Sequence, residues 1–251
     1  MVPPWYSVEI EKALKRGVKG LHRWVREANK IDGKTMSIIR THDRSCPYEL
    51  IVRGRLEYRF TSIVGEGANV KAYLSTDGNV VKVIKDPKNV RKLFVLAWAE
   101  TLINSYGIPA AKVLHVHEEG LYVEQEYINS SSLERQYGRP TEHGSNIHIP
   151  SHITDQVLDH FAKAKLLIRE REVWLDLKSA NYHHQDGRII NVDYVPRFHD
   201  IWRYFEDGHG HALTDGQFLD KFFHYRIRKA RAEKVHRDKS KRCKRRKKKS
   251  K

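Results

Sequence analysis

Cysteine is nearly missing from this chain of 251 residues. Cys46 and Cys243 are the only two, and Cys243 lies inside a run of Lys and Arg. A stabilising disulfide is therefore not expected, and a reducing compartment fits. Long apolar runs are missing too: no stretch approaches the ~18 residues that a membrane span needs. The opening Met1-Val2-Pro3-Pro4-Trp5 lacks the charged and then apolar layout of a secretory signal. Histidine is plentiful, with 15 residues, but His183-His184, His209, His211 and His236 lack the spacing of a zinc site with cysteine. They read as solvated loop histidines. No internal repeat is present.

What the chain has is a core and a displaced charge. Hydrophobic residues make up 39% and aromatics 10%, enough to fold most of the chain as one two-lobed domain or two small ones. The net charge is +16, but 16 of the 47 Lys and Arg, against two of the 31 Asp and Glu, fall in residues 226–251. The remainder carries 31 basic and 29 acidic residues, so the body is close to neutral. The basicity belongs to a tail. Such a block repels itself, and reads as a nuclear-import signal, a nucleic-acid contact, an anchor to anionic lipid or a plain solubilising tail.

Periodicity divides the rest. Residues 6–29 place Ile10, Leu14, Val18, Leu21, Val25 and Ala28 on one helical face, weakened by Gly17 and Gly20 and ended by Asp32-Gly33. Strands are expected at 49–52, 56–63, 70–74 and 80–84, with Asp77-Gly78 turning the last pair. A helix over 91–106 is closed by Gly107, and strands at 113–117 and 121–128 form a second hairpin through Glu118-Glu119-Gly120. Residues 130–150 are polar and partly loop, and 154–171 a helix. Short strands at 173–175 and 189–192 follow, and 217–235 reads as a helix running into the tail. The order points to an α+β protein, a sheet-based lobe followed by a helical one.

Four places carry candidate chemistry. Gly65 and Gly67 lie between two strands, where glycine lets backbone N–H groups approach a phosphate, although such turns are also common without that role. Lys82 stands in the otherwise apolar run Val80-Val81-Lys82-Val83-Ile84, and a buried ammonium needs a partner. Alternation puts Val80, Lys82 and Ile84 on one face, with Lys85 a solvated strand end. Glu100, in an apolar helix, is an ordinary surface acid or the carboxylate that holds Lys82 extended. Trp174-Leu175-Asp176-Leu177-Lys178-Ser179-Ala180-Asn181, then Ile189-Ile190-Asn191-Val192-Asp193, supply a carboxylate base and oxygen ligands for a metal beside a triphosphate.

Taken in order, Gly65-x-Gly67, Lys82, Glu100, Glu126-Tyr127-Ile128, Asp176-x-Lys178-x-x-Asn181 and Asp193 resemble the protein kinase superfamily over about residues 63–195. The resemblance implies a protein-kinase-like two-lobed fold with a small β-rich N-lobe and a truncated helical C-lobe. The chain then divides into an N-terminal extension (1–55), an N-lobe (56–128), a reduced C-lobe (129–225) and a basic tail (226–251). It also implies ATP and Mg²⁺ as cofactors. Lys82 would pair with Glu100, Glu126 and Ile128 would belong to the hinge that bonds adenine, and Gln125 would be the gatekeeper. Asp176 would be the base, Lys178 would neutralise the transferring phosphate, and Asn181 and Asp193 would bind the metal. Departures are clear. Trp174-Leu175 replaces His-Arg, Asp193-Tyr194-Val195 replaces Asp-Phe-Gly, the third loop glycine is missing, and no Ala-Pro-Glu follows. That reduction is most similar to the minimal kinases that bacteria deliver into host cells.

The expected function is constitutive ATP-dependent phosphorylation of Ser/Thr in a protein substrate, by a monomer. Its expected location is cytoplasmic or inside a host cell, with the nucleus as an alternative through the tail. A small-molecule, antibiotic-type kinase shares the same Asp/Asn/Asp set. A pseudokinase adaptor presenting the tail to nucleic acid is the non-enzymatic alternative.

Overall fold

The computed structural model describes residues 5–16, 20, 23, 36–67, 70–85, 91–137, 149–171, 179–192, 213–219 and 222–223. The protein is α+β, built on a seven-stranded antiparallel sheet. Its strands are β1 (Met36–Arg40), β2 (Tyr48–Val52), β3 (Arg55–Glu66), β4 (Val70–Ser75), β5 (Val80–Ile84), β6 (Val113–Val116) and β7 (Tyr122–Gln125). They lie in the order β1-β2-β3-β4-β5-β7-β6. The sheet grows by hairpins until β5. The chain then leaves through helix α2 (Arg91–Ser105) and returns at the edge as β6, so that β7 can pair with β5.

The sheet is strongly curled. Two strands separate β3 from β7, which in a flat sheet would put them ~14 Å apart. Yet the rings of Tyr58 on β3 and Tyr122 on β7 meet edge to face with centroids 5.3 Å apart. Arg53, in the β2–β3 turn, pairs with Glu119, in the β6–β7 turn. Sequence alternation explains the curl. One face of the strands carries Leu50, Val52, Phe60, Tyr73, Val81 and Val83, all buried, and Phe60 stacks on Tyr73. Wrapping the sheet around them removes this apolar surface from water.

The second part is smaller among the described residues. It comprises α3 (Leu133–Tyr137), α4 (Ser151–Arg171), a 3₁₀ turn (Ser179–Asn181) and a hairpin of β8 (Tyr182–Gln185) and β9 (Arg188–Asn191). Asp186-Gly187 turns this hairpin with both φ angles positive, the geometry of a two-residue turn. Helix α4 buries Ile153, Val157, His160, Phe161, Ala164 and Leu167. Phe161 stacks on Phe218, and Tyr182 of the hairpin touches His160 and Phe222.

Several elements differ from the sequence expectation. The N-terminal helix α1 runs over Trp5–Leu14, with a turn at residues 15–16, rather than through one unbroken face. Gly20 shows why. It lies so close to the end of α1 that a Cβ there would fall 2.5 Å from Ala13 O and Arg16 Cβ. Strand β1 was not anticipated, and together with β2 it carries the 1–55 segment into the same sheet as β3. Within 130–150, expected to be only partly loop, lies the short helix α3. The expected strand at 173–175 lies outside the described residues, as do the turn at Asp32-Gly33 and most of 217–235. In that last span residues 217–219 and 222–223 are helical.

Candidate functional site

Strand β5 separates two environments. Val81 and Val83 point into the curl and are buried, whereas Val80 and Lys82 face the other way and are half-buried. Directly opposite residues in antiparallel strands share a face. Lys82 therefore sits beside Ala72 of β4 and Val123 of β7, and Val80 beside Leu74 and Gln125. A half-buried ammonium on such an apolar face requires an acceptor. It finds one across the molecule: Lys82 Nζ donates to the carbonyl of Val192 at 2.7 Å.

Val192 is held from a second side. Its N–H donates to Asn181 O at 2.8 Å, so the end of β9 and the start of β8 are tied together. Asn191, the residue before, exchanges backbone bonds with the segment after α2. Its N–H goes to Pro109 O and its carbonyl accepts from Ala111 N–H, each at 2.9 Å. The hairpin is further fixed from α4, where Gln156 Oε1 accepts from Ile189 N–H and Nε2 donates to Gly187 O, both at 2.9 Å. Lys82, Asn181 and Val192 thus converge although 110 positions separate the first from the last. The residue following Val192 is Asp193. Asp193, Asp176 and Lys178 lie outside the described residues.

The strap between the sheet and α3 runs from Gln125 to Ser132. Gln125 is buried with its Nε2 3.5 Å from Ala111 O. Glu126 is locked on Lys112 twice: its N–H donates to Lys112 O and its Oε1 accepts from Lys112 N–H. Ile128 is buried, and its carbonyl accepts from Ser130 N–H.

Glu100 takes other partners than the sequence suggested. Buried on α2, it accepts from Asn104 Nδ2 at 2.6 Å and from the Val113 N–H. Burial pushes its carboxyl above the usual carboxylate range, and these two bonds only partly offset that. The contacts shown for Glu100 run to α2 and β6, and that shown for Lys82 to Val192.

Gly65 and Gly67 lie at the β3–β4 turn, where Gly67 N–H donates to Val70 O at 2.9 Å. Neither needs its missing side chain for the fold. A Cβ on Gly65 would sit 3.7 Å from Ala72 Cβ, and one on Gly67 would sit 3.6 Å from Val70 O, both ordinary contacts. Glu66 between them is exposed and ion-paired to Lys71 and Lys85, which hold its carboxyl below the usual range. Lys85 is the exposed strand end that the alternation suggested.

Sequence reasoning missed His183. It is on β8 rather than in a loop, half-buried, with Nδ1 3.5 Å from Ser130 Oγ. Burial lowers its basicity below the ordinary imidazole value. The available signal was position, two residues beyond Asn181 in a strand.

This arrangement brings the Lys82 ammonium, the Val192 carbonyl and the Asn181 backbone together at one end of the hairpin. Among the described residues, no group of three or more His, Cys, Asp and Glu is placed to hold a metal, and no helix is long and apolar enough to cross a membrane. No protein-family model matches the chain, and a search of curated proteins finds no match.

Proposed function

We propose that the chain is a reduced protein kinase, transferring the terminal phosphate of ATP to Ser or Thr of a protein substrate. The observation that carries this reading is the clamp on Val192. Lys82 donates to its carbonyl and Asn181 accepts from its N–H, so two residues named from sequence for one nucleotide site meet at Val192, the position before Asp193. The order of parts supports it. A glycine turn joins two strands, the next strand carries the lysine, a helix with a buried glutamate follows, and a strap leads to the second lobe. Protein kinases deploy their phosphate loop, lysine and helix glutamate in that sequence.

In this reading Lys82 holds the phosphates, Glu126 and Ile128 read the edge of the adenine, and Gly65 and Gly67 let the backbone approach the triphosphate. Asp176 accepts the hydroxyl proton and Lys178 neutralises the transferring group. Asn181 and Asp193 would hold Mg²⁺. In support, Asn181 and the residue before Asp193 are bonded at one end of the hairpin, and Mg²⁺ takes few protein oxygens beside phosphate. When bound, the ion would neutralise charge on the phosphate oxygens. A Lys82–Glu100 pair would require Glu100 to leave Asn104 and Val113. Leu175 precedes the base, so no arginine is there to read an activation-loop phosphate, and the enzyme is constitutive. The basic tail contacts a polyanion, and delivery into a host cell or nucleus belongs to the same proposal.

The test is phosphate transfer from radiolabelled ATP to a generic protein, with and without Mg²⁺. Lys82→Ala and Asn181→Ala should each cost at least ~100-fold in rate, about 2.7 kcal/mol, with the melting temperature kept. Wild-type chain that consumes no ATP, or a Lys82→Ala variant as fast as wild type, would refute the proposal. Transfer to an aminoglycoside but to no protein would establish the small-molecule alternative.

A further inference from the structure

The two edges of the sheet are unlike. At the β6 edge the Val113 N–H is taken by Glu100. The β1 edge is open. Along an antiparallel strand, successive residues bond by turns to the neighbour on one side and to whatever lies on the other. Thr41 N–H donates to Pro47 O at 3.0 Å, one step beyond the Arg40–Tyr48 pair, so Ile39 and Ser37 also bond to β2. Met36, Ile38 and Arg40 therefore direct their N–H and C=O groups away from the sheet. None of these groups has a partner among the described residues. The strand also lacks what blunts an edge, having no Pro, no Lys and no break in register with β2.

We propose that β1 is a self-association edge, where two copies of the chain join antiparallel through Met36–Arg40, about a two-fold axis at Ile38, into one continuous sheet. This stands apart from the nucleotide reading, and it replaces the monomer expected from sequence. The strand is complementary to itself. With Ile38 opposite Ile38, Met36 of each copy faces Arg40 of the other. Every outward residue then meets an outward residue, and each such pair can exchange two backbone bonds. Charge favours a second copy as the occupant. Arg40 is the only charged residue of β1 and meets a neutral Met36, while the two Arg40 stand about 13 Å apart along the strands at ~3.3 Å per residue. No like charges are opposed, and an acidic foreign strand would find a single cation at one end. Outside residues 226–251 the chain carries 31 basic and 29 acidic residues, so the two bodies do not repel. On the outer face, Ser37 of one copy stands opposite Ile39 of the other, and both are exposed in the single chain.

The experiment is sedimentation equilibrium of the full chain, freed of nucleic acid, up to about 0.5 mM. Wild type should dimerise with a dissociation constant on the order of tens of micromolar, as a short edge implies. The dimer should tighten with salt, which screens the two basic tails from each other. Ser37→Lys with Ile39→Lys sets like charges opposite each other on both sides of the axis and should weaken the dimer about tenfold or more. Ser37→Lys with Ile39→Glu sets opposite charges there and should keep wild-type affinity or improve on it. Both positions are exposed, so the melting temperature should hold in both variants. A chain that stays monomeric throughout overturns the proposal, and its binding of an added strand-forming peptide of alternating Thr and Val would assign the edge to other proteins instead. Equal affinity in the two double variants, or association that falls as salt rises, also overturns it, by placing the contact elsewhere.

Discussion

The seven-stranded sheet and the β8–β9 hairpin meet at Val192, but they are held by different means. The sheet is fixed along its whole length by ladder bonds and by an interior of Leu50, Phe60, Tyr73, Val81 and Val83. The hairpin buries Tyr182 and Ile189 against the second part, but its bonds to the rest of the chain are a few single ones: Gln156 on α4, Pro109 and Ala111 after α2, Ser130 on the strap and Lys82 on β5. Loss of one contact in the sheet costs burial. Loss of one contact at the hairpin costs position, and position is what a site between the two depends on.

The largest effect should come from the sheet interior. Phe60 is fully buried and stacked on Tyr73, so Phe60→Ala should destabilise the chain by about 3–5 kcal/mol, read as a lower denaturant midpoint. A loss below about 1 kcal/mol would show that the curl does not depend on this interior.

Next comes His160, buried on α4 against the hairpin's Tyr182 with its Nδ1 unpartnered. Burial holds its pKa down at about 4, against 6.5 ordinarily. Above pH 6.5 both folded and unfolded imidazole are neutral. As pH falls from 6.5 towards 4 the unfolded chain takes the proton first, so stability is lost across that window, by at most about 3 kcal/mol. Chemical denaturation at a series of pH values should show this slope in wild type and a flatter one in His160→Leu. Identical slopes would mean that His160 does not stay neutral on folding.

Gln156→Ala should act on the hairpin alone. It leaves Ile189 N–H and Gly187 O without their side-chain partner, at a cost of about 1–3 kcal/mol. Hydrogen exchange should speed up across 182–192 and stay unchanged in β3–β5. Equal acceleration in both regions would erase the distinction between them.

The smallest effect on stability should be at the β3–β4 turn. Gly65→Ala and Gly67→Ala meet ordinary contacts, so each should stay within about 0.5 kcal/mol of wild type. A fall in MgATP affinity without a fall in melting temperature would then mark these glycines as an approach path for a phosphate. Retained affinity would return the turn to an ordinary hairpin.

Local pattern was enough to find most of the sheet. Strand alternation, Asp77-Gly78, Gly107 and Gly120 gave β2 through β7 and α2, to within a residue at most ends but three residues off at the C-terminal ends of β3 and β7, because turn chemistry and period-two burial are written in adjacent residues. Of these, Gly78, Gly107 and Gly120 all adopt positive φ. Strand β1 escaped because Met36–Arg40 is short and buries no residue fully, its place being fixed by antiparallel pairing with β2. The N-terminal helix was drawn without its break after Leu14 because periodicity alone does not register the close approach of Gly20 to α1.

For the candidate site the division is sharper. The sequence alone marked Lys82 as anomalous, since an ammonium in an apolar strand must be compensated, and it marked Asn181 through its spacing from Asp176. It also located the charge of the tail. Only tertiary structure decided that Lys82 donates to the Val192 carbonyl, that Glu100 turns to Asn104 and Val113, and that His183 lies on the same hairpin face as Asn181. The reason is physical. Residue type and spacing fix what a side chain needs, whereas which group meets that need across 110 residues depends on how the sheet curls and where α4 holds the hairpin.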